Sequence, residues 1–336
     1  MKYPRVLTIA GSDSGGGAGI QADIKSISAT GGYSASAITA VTVQNTLGVE
    51  AVHPVPIEII TAQIKAVLSD IGADAVKIGM LHSAEVVLAV RDSLLTAEAE
   101  GWLPRPYNIV LDPVMVSTSG HRLIEESAIR VLTQELLPLA RVITPNIPEA
   151  EILIGRKITS QEELPAVARE LSALASGASA ASETAETTAS ETAASEKAAA
   201  TTVAAAVSRA AATTVSAAAA PETSETASTA SATATSRPVS VLMKAGHLSD
   251  DHLVDYFYNA EEDRIVELPS ERIHTPNTHG TGCTLSSALA SYLAQGLSLD
   301  DAARAAANYI HEAIKSGSAY TIGHGHGPVN HFWKTN

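Results

Sequence analysis

The chain has 336 residues, 45% of them hydrophobic and 4% aromatic, with one cysteine and a formal net charge of −14. That length fits one large or two ordinary domains, and the acidic balance argues against non-specific nucleic-acid binding, which needs basic surface. The lone cysteine excludes an internal disulfide and fits a reducing cytosol, and no apolar run approaches the roughly 18 residues that span a membrane.

Met1 to Ala10 reads as a first strand, with no cleavage-site pattern of a signal peptide. Arg5 to Ala10 is apolar and runs into Gly11-Ser12-Asp13-Ser14-Gly15-Gly16-Gly17-Ala18-Gly19, then an amphipathic helix to Ala29. Strand, glycine loop and helix mark the place where α/β folds bind ligands. The loop lacks the Gly-Lys-Ser/Thr ending of a P-loop and the G-x-G-x-x-G spacing of a dinucleotide fingerprint. Ser36 to Gln44 is a strand of small and β-branched residues whose last residue, Gln44, can both donate and accept, which suits an aminopyrimidine edge, although on this residue alone an ordinary strand-end turn is the favoured reading. Helices are expected over Pro56 to Asp70, Ser83 to Ala97 and Ser127 to Leu139, and strands over Ala75 to Met80, Asn108 to Met115 and Arg141 to Thr144.

Asp112 ends one of these strands, and a carboxylate after Ile-Val-Leu is costly to bury unpaired. Glu149 follows another, on the opening of a helix. Two such oxygen ligands suit Mg²⁺, which takes few protein carboxylates and keeps waters. The composition then changes. Residues 175–237 are almost wholly Ala, Ser, Thr and Glu. Such a segment cannot bury enough surface to offset ordering, so it is expected to be a disordered insertion. The remainder, 1–174 and 238–336, is roughly 270 residues, the size of one α/β domain.

Val239 to Lys244 is a strand ending in a candidate phosphate partner, Lys244. Val254 to Tyr258 and Ile265 to Leu268 form a hairpin over Asn259 to Asp263, and Ser298 to Asp301 opens a last helix to Ser316. Between them, Asn277-Thr278-His279-Gly280-Thr281-Gly282-Cys283 leads into a helix over Thr284 to Gln295. Unpaired N–H groups and the dipole at a helix start attract an anion. The same field is expected to lower the pKa of Cys283 and favour its thiolate. The glycine-separated histidines of Gly323 to His331 give no rigid metal geometry. The alternation of elements argues for a mainly parallel sheet with helices on both faces. Asp112, Glu149, Lys244 and the first glycine loop all follow strands at the ligand-binding edge, which points to phosphoryl transfer.

The motifs Ala10 to Ser14 with Gly16 to Asp23, Leu111-Asp112-Pro113-Val114-Met115, Thr144-Pro145-Asn146 with Pro148 to Glu151, Asn277 to Thr284 and the glycine-histidine tail resemble hydroxymethylpyrimidine/phosphomethylpyrimidine kinases. That resemblance implies a ribokinase-like three-layer α/β/α fold, a cytoplasmic homodimer and the use of ATP and Mg²⁺. It implies two successive phosphorylations of 4-amino-5-hydroxymethyl-2-methylpyrimidine in thiamine biosynthesis. On the matching positions, Gln44, Asp23 and Gly11 would meet the pyrimidine. Gly280, Thr281 and Gly282 would form the anion hole, with Cys283 as the base. Asp112 and Glu149 would organise Mg²⁺, while Lys244 and Asn146 would meet the nucleotide.

One departure from the family pattern is Ala245, where Lys-Gly-Gly-His is usual; a glycine needing positive φ there would make it costly. The alternatives are a pyridoxal kinase of the same fold, a sugar kinase disfavoured by Cys283, and a non-catalytic pyrimidine-binding protein.

Overall fold

The computed structural model describes residues 3–103, 108–115, 123–177 and 237–334. By backbone contacts the chain divides into two units, Met1–Ala180 with Ser236–Asn336, and Ala181–Thr235. Only the first falls among the described residues. The expected disorder of the insertion therefore lies outside them, apart from its margins. At one margin Ala175 is buried as the last residue of a helix, and at the other Arg237 pairs with Glu261.

Nine strands make one sheet: β1 (Arg5–Asp13), β2 (Tyr33–Asn45), β3 (Gly48–Pro54), β4 (Ala75–Ile78), β5 (Ile109–Leu111), β6 (Val142–Ile143), β7 (Ser240–Met243), β8 (His252–Asn259) and β9 (Arg264–Glu271). Their order is β3-β2-β1-β4-β5-β6-β7-β8-β9. The six strands from β2 to β7 in sheet order pair in parallel, and the edges are antiparallel, β2 with β3, β7 with β8 and β8 with β9. The inner parallel strands β4 to β7 are short and buried along their whole length, as strands covered on both faces are.

Helices cover both faces. Side chains of α2 (Ile57–Ala66), α3 (Ala84–Ala99), α4 (Glu126–Val131), α5 (Ile147–Ile154) and α6 (Leu164–Ala175) join one hydrophobic cluster with Leu7, Ile9, Val76 and Ile78. Those of α1 (Gly19–Ala29), α7 (Thr281–Ala294) and α8 (Leu299–Gly317) join a second with Val6 and Ala75. Alternate residues of β1 and β4 thus face opposite layers, the period-two signature of a strand. The result is a three-layer α/β/α architecture. β1 lies between β2 and β4, so chain order reverses there, and a crevice opens beyond its C-terminal end.

Three local features differ from the sequence reading. The edge strand β3 was not anticipated; its exposed residues carry no alternation to reveal it. The helices expected to Asp70 and to Leu139 end as α-helices at Ala66 and Val131 and continue as wider turns, Val67–Ile71 and Leu132–Leu136. And α7 begins at Thr281, not Thr284, so Cys283 lies inside its first turn.

Candidate functional site

The cradle is built from two glycine turns packed on each other. Gly280 caps α7 at φ +78°, and a Cβ there would fall 1.8 Å from the Gly17 carbonyl oxygen. Gly19 opens α1 at φ +55°, and its Cβ would fall 2.3 Å from the Gly11 oxygen. No other residue type fits either position. Within α7, Thr284 N–H returns to the Gly280 carbonyl at 2.9 Å, while the N–H groups of Gly282 and Cys283 have no hydrogen-bond partner among the described residues. They are the free donors of a helix start.

Asp13 holds the first loop in shape. Its carboxylate accepts from the N–H of Gly15 (2.8 Å), Gly17 (2.9 Å) and Ala18 (2.8 Å), and lies 3.1 Å from His279 Nε2. Burial pushes this carboxyl up, but His279 and the backbone donors outweigh it and hold it below the usual range. His279 Nε2 is also 3.2 Å from the amide nitrogen of Gln44, whose amide oxygen is 3.1 Å from Thr42 Oγ1.

The β-strand ends bring the ionisable groups together. Asp112 Oδ1 accepts from Thr144 Oγ1 (2.9 Å) and Lys244 Nζ (3.0 Å). Gly282 sits so close that a Cβ would lie 3.3 Å from both Asp112 Oδ2 and Lys244 Nζ. Asn146 and Glu149 form a capping box on α5, each side chain accepting the other's N–H at 2.9 Å. Burial, with Asp112 nearby, pushes the Glu149 carboxyl up to about 7 against the pull of Lys244. Asp112 and Glu149 are the two carboxylates expected to organise a metal. No group of three or more metal-type side chains is preassembled among the described residues. Two carboxylates fit Mg²⁺ that arrives on nucleotide phosphates, not a resident all-protein cage.

Gly11, Gln44, Asp112, Asn146, Glu149, Lys244, Gly280, Thr281, Gly282 and Cys283 line one cavity of about 860 Å³. It runs from Gln44 and Met80, past the cradle, to Arg272 and His311 on β9's far end and α8. Asp23 does not line it. Its carboxylate is sealed beneath the floor, paired with the buried Lys77 at 2.9 Å and accepting from Thr8 (2.6 Å) and Ser287 (2.6 Å). Every lone pair it offers is engaged inside, so the expected pyrimidine contact is corrected to a structural tie between β1, β4, α1 and α7.

A second correction concerns Cys283. Burial pushes its thiol up to about 11; Lys77 and the Gly19 N–H pull it down, while Asp23 and Asp112 oppose them. The helix field expected from the sequence is outweighed by desolvation and two nearby carboxylates. The resting side chain is a thiol. Ala245 carries no positive-φ strain: Asp263 is the one non-glycine at positive φ among the described residues, and the Ala245 N–H donates to half-buried Asp255 at 2.7 Å.

Sequence reasoning missed Asp13, Lys77, Asp255 and His279. Asp13 and His279 stand inside the motifs already singled out, and their polarity within glycine turns was the available signal. Lys77, midway along an apolar strand, was a second one. Asp255 carried none.

The sequence model of the phosphomethylpyrimidine kinase family matches residues 13–237 and 175–330. The chain is 40% identical over 98% of its length to the hydroxymethylpyrimidine/phosphomethylpyrimidine kinase of Rhizobium meliloti, covering 98% of that protein. Its fold is similar to crystal structures of phosphomethylpyrimidine kinase from Clostridium difficile (35% identity, TM-score 0.64, covering 93% of this chain and 100% of that one) and of Bacillus subtilis pyridoxal kinase with ADP (27% identity, TM-score 0.72, covering 100% of both). This chain belongs to the phosphomethylpyrimidine kinase family.

Proposed function

We propose, with membership of that family as the premise, that the chain transfers the γ-phosphoryl group of ATP to the hydroxymethyl oxygen of 4-amino-5-hydroxymethyl-2-methylpyrimidine, and then phosphorylates that monophosphate to the diphosphate. The observation that carries the reading is one continuous cavity. It joins a bidentate amide, Gln44, to a helix start with two free N–H donors and to the Asp112–Lys244 pair.

In the first reaction the substrate oxygen forms a bond to γ-phosphorus while the bond to the ADP oxygen breaks. The transition state is loose, with charge on the equatorial oxygens, so positioning and electrostatics dominate. The Gly282 and Cys283 N–H groups and Lys244 meet that charge. A bound Mg²⁺, held by Asp112 and Glu149, would neutralise phosphate charge. Gln44 orients the ring and Gly11 lets it approach; a Cβ at Gly11 would fall 2.6 Å from Met80 Cε. Cys283 can take the hydroxyl proton only after losing its own, which Lys77 and Lys244 favour. Asn146 lines the nucleotide end, and its amide oxygen is already engaged by the α5 cap.

The working form is a cytoplasmic homodimer in this reading. Val41, Val43 and Leu47, 47–67% exposed on the β2–β3 edge, offer an apolar face for a second copy. No helix among the described residues is long and apolar enough to cross a membrane. The likeness to pyridoxal kinase favours pyridoxal as a secondary substrate.

The test is phosphorus NMR of reactions holding ATP, Mg²⁺ and either pyrimidine. Stepwise appearance of the mono- and diphosphate supports the reading. Binding without turnover would leave only a binding protein, and preference for pyridoxal in competition would make the chain a pyridoxal kinase.

A further inference from the structure

Gln44 can read an aminopyrimidine only if its amide faces one way round. The oxygen and nitrogen of a glutamine amide exchange places by a half-turn of the last torsion, so neighbouring hydrogens decide which way is stable. Two neighbours decide it here. Thr42 Oγ1 lies 2.9 Å from the Ser12 carbonyl oxygen and 3.1 Å from the Gln44 amide. A carbonyl only accepts, so the single hydroxyl hydrogen of Thr42 goes to Ser12. Toward Gln44 the hydroxyl can then only accept, which demands the amide NH₂ on the Thr42 side.

The other neighbour makes the same demand. His279 Nε2 lies 3.1 Å from Asp13 Oδ2 and 3.2 Å from the Gln44 amide. Asp13 is acceptor-only and held ionised by three backbone N–H groups, so Nε2 carries a hydrogen. That ring nitrogen has no lone pair left for an amide N–H, and it demands the amide oxygen on its own side. Both ends therefore select the half-turn of the placement described above, in which the amide nitrogen faces His279 and the oxygen faces Thr42; after it the chain of donors runs Gln44 to Thr42 to Ser12 on one side and His279 to Asp13 and Gln44 on the other. His279 is itself held: its backbone N–H donates to the Gly327 carbonyl at 3.0 Å, and its side chain is 11% exposed.

We infer that His279 and Thr42 are positioning residues that lock the Gln44 amide in one sense, and that this lock sets selectivity for a ring acceptor beside an exocyclic amino donor. The inference deepens the pyrimidine kinase reading and rests on it. With both flanks engaged, the open edge of Gln44 offers one N–H and one oxygen lone pair in fixed order. The 4-amino substrate matches that order. Its 4-oxo analogue, with a ring N–H beside a carbonyl, needs the reverse and is rejected by a locked amide.

The experiment is the ratio of kcat/KM for the 4-amino over the 4-oxo hydroxymethylpyrimidine. It is measured for wild type, His279→Leu, His279→Gln and Thr42→Val. Wild type is expected to favour the amino substrate by about a hundredfold or more, as a site built to hydrogen-bond its substrate does. His279→Leu and Thr42→Val are expected to shrink the ratio by about tenfold or more, while His279→Gln, which keeps a donor near the Nε2 position, retains it. Equal loss of rate on both substrates, with the ratio unchanged, would make His279 merely structural and overturn the inference. Should His279→Leu fail to fold, Thr42→Val, nearly isosteric, carries the same test. A wild type that turns over neither pyrimidine overturns the kinase reading and this inference with it, a result distinct from an unchanged ratio.

Discussion

A thiol held near 11 has only about one molecule in ten thousand ionised at pH 7. Cys283 of the ligand-free protein is therefore expected to alkylate slowly with iodoacetamide at pH 7 to 8, gaining about tenfold per pH unit up to about pH 10. Rapid, pH-independent alkylation at pH 7 would contradict the burial argument and restore the thiolate. Glu149 makes the converse point. Its carboxyl titrates at about 7 in the fold, against an unfolded value near 4.5. Between those values the folded chain holds more protons than the unfolded one, so ligand-free stability falls as pH rises. Glu149→Gln keeps an acceptor for the α5 cap and removes the charge. It is expected to melt several degrees above wild type at pH 8, no higher at pH 5, and to lose Mg²⁺-dependent turnover by about a hundredfold or more. A gap that does not change with pH would refute the assigned titration. Asp112 and Lys244 were legible because they follow the ends of apolar strands, and Glu149 because it opens a helix just after one. Protonation states were not, because they depend on desolvation and neighbours far apart in sequence.

At the scale of elements, β4, α1 and α7 are tied by the buried Lys77–Asp23 pair. Removing one charge strands the other, at a cost of about 3–5 kcal/mol. Lys77→Met is thus expected to lower the denaturation midpoint sharply, and Lys77→Met with Asp23→Asn to recover part of the loss; equal midpoints would show that Asp23 needs no partner. The turn that faces α7 toward the ligand depends on Gly280. Gly280→Ala would drive a methyl into the Gly17 carbonyl, and is expected to cut kcat/KM by at least about a hundredfold by displacing the free N–H groups. Near-wild-type kinetics would remove the cradle from the mechanism. Helix and strand positions were readable from periodicity, since their faces are buried. The edge strand β3 and the wide turns after α2 and α4 were not, because tertiary packing and not local pattern sets them.

Across the whole molecule, the switch of chain order at β1 gathers residues from positions 11 to 283 onto one sheet edge. Parallel alternation and strand-end polar residues were enough to foresee that edge. They could not foresee which polar groups would turn inward, and Asp23 is the instance. Its motif lies at the ligand edge, yet its side chain faces the α7 layer, where Ser287 and Lys77 meet it. The same topology is what makes two phosphorylations by one site physically coherent, since acceptor and donor share one cavity around one cradle. The most direct measurement is a crystal structure with Mg²⁺, a non-hydrolysable ATP analogue and hydroxymethylpyrimidine. The account expects the ring on Gln44, a γ-phosphate oxygen on the Gly282 and Cys283 N–H groups, and the hydroxymethyl oxygen about 3–3.5 Å from γ-phosphorus. A pyrimidine bound away from Gln44, or a γ-phosphate away from the start of α7, would contradict it.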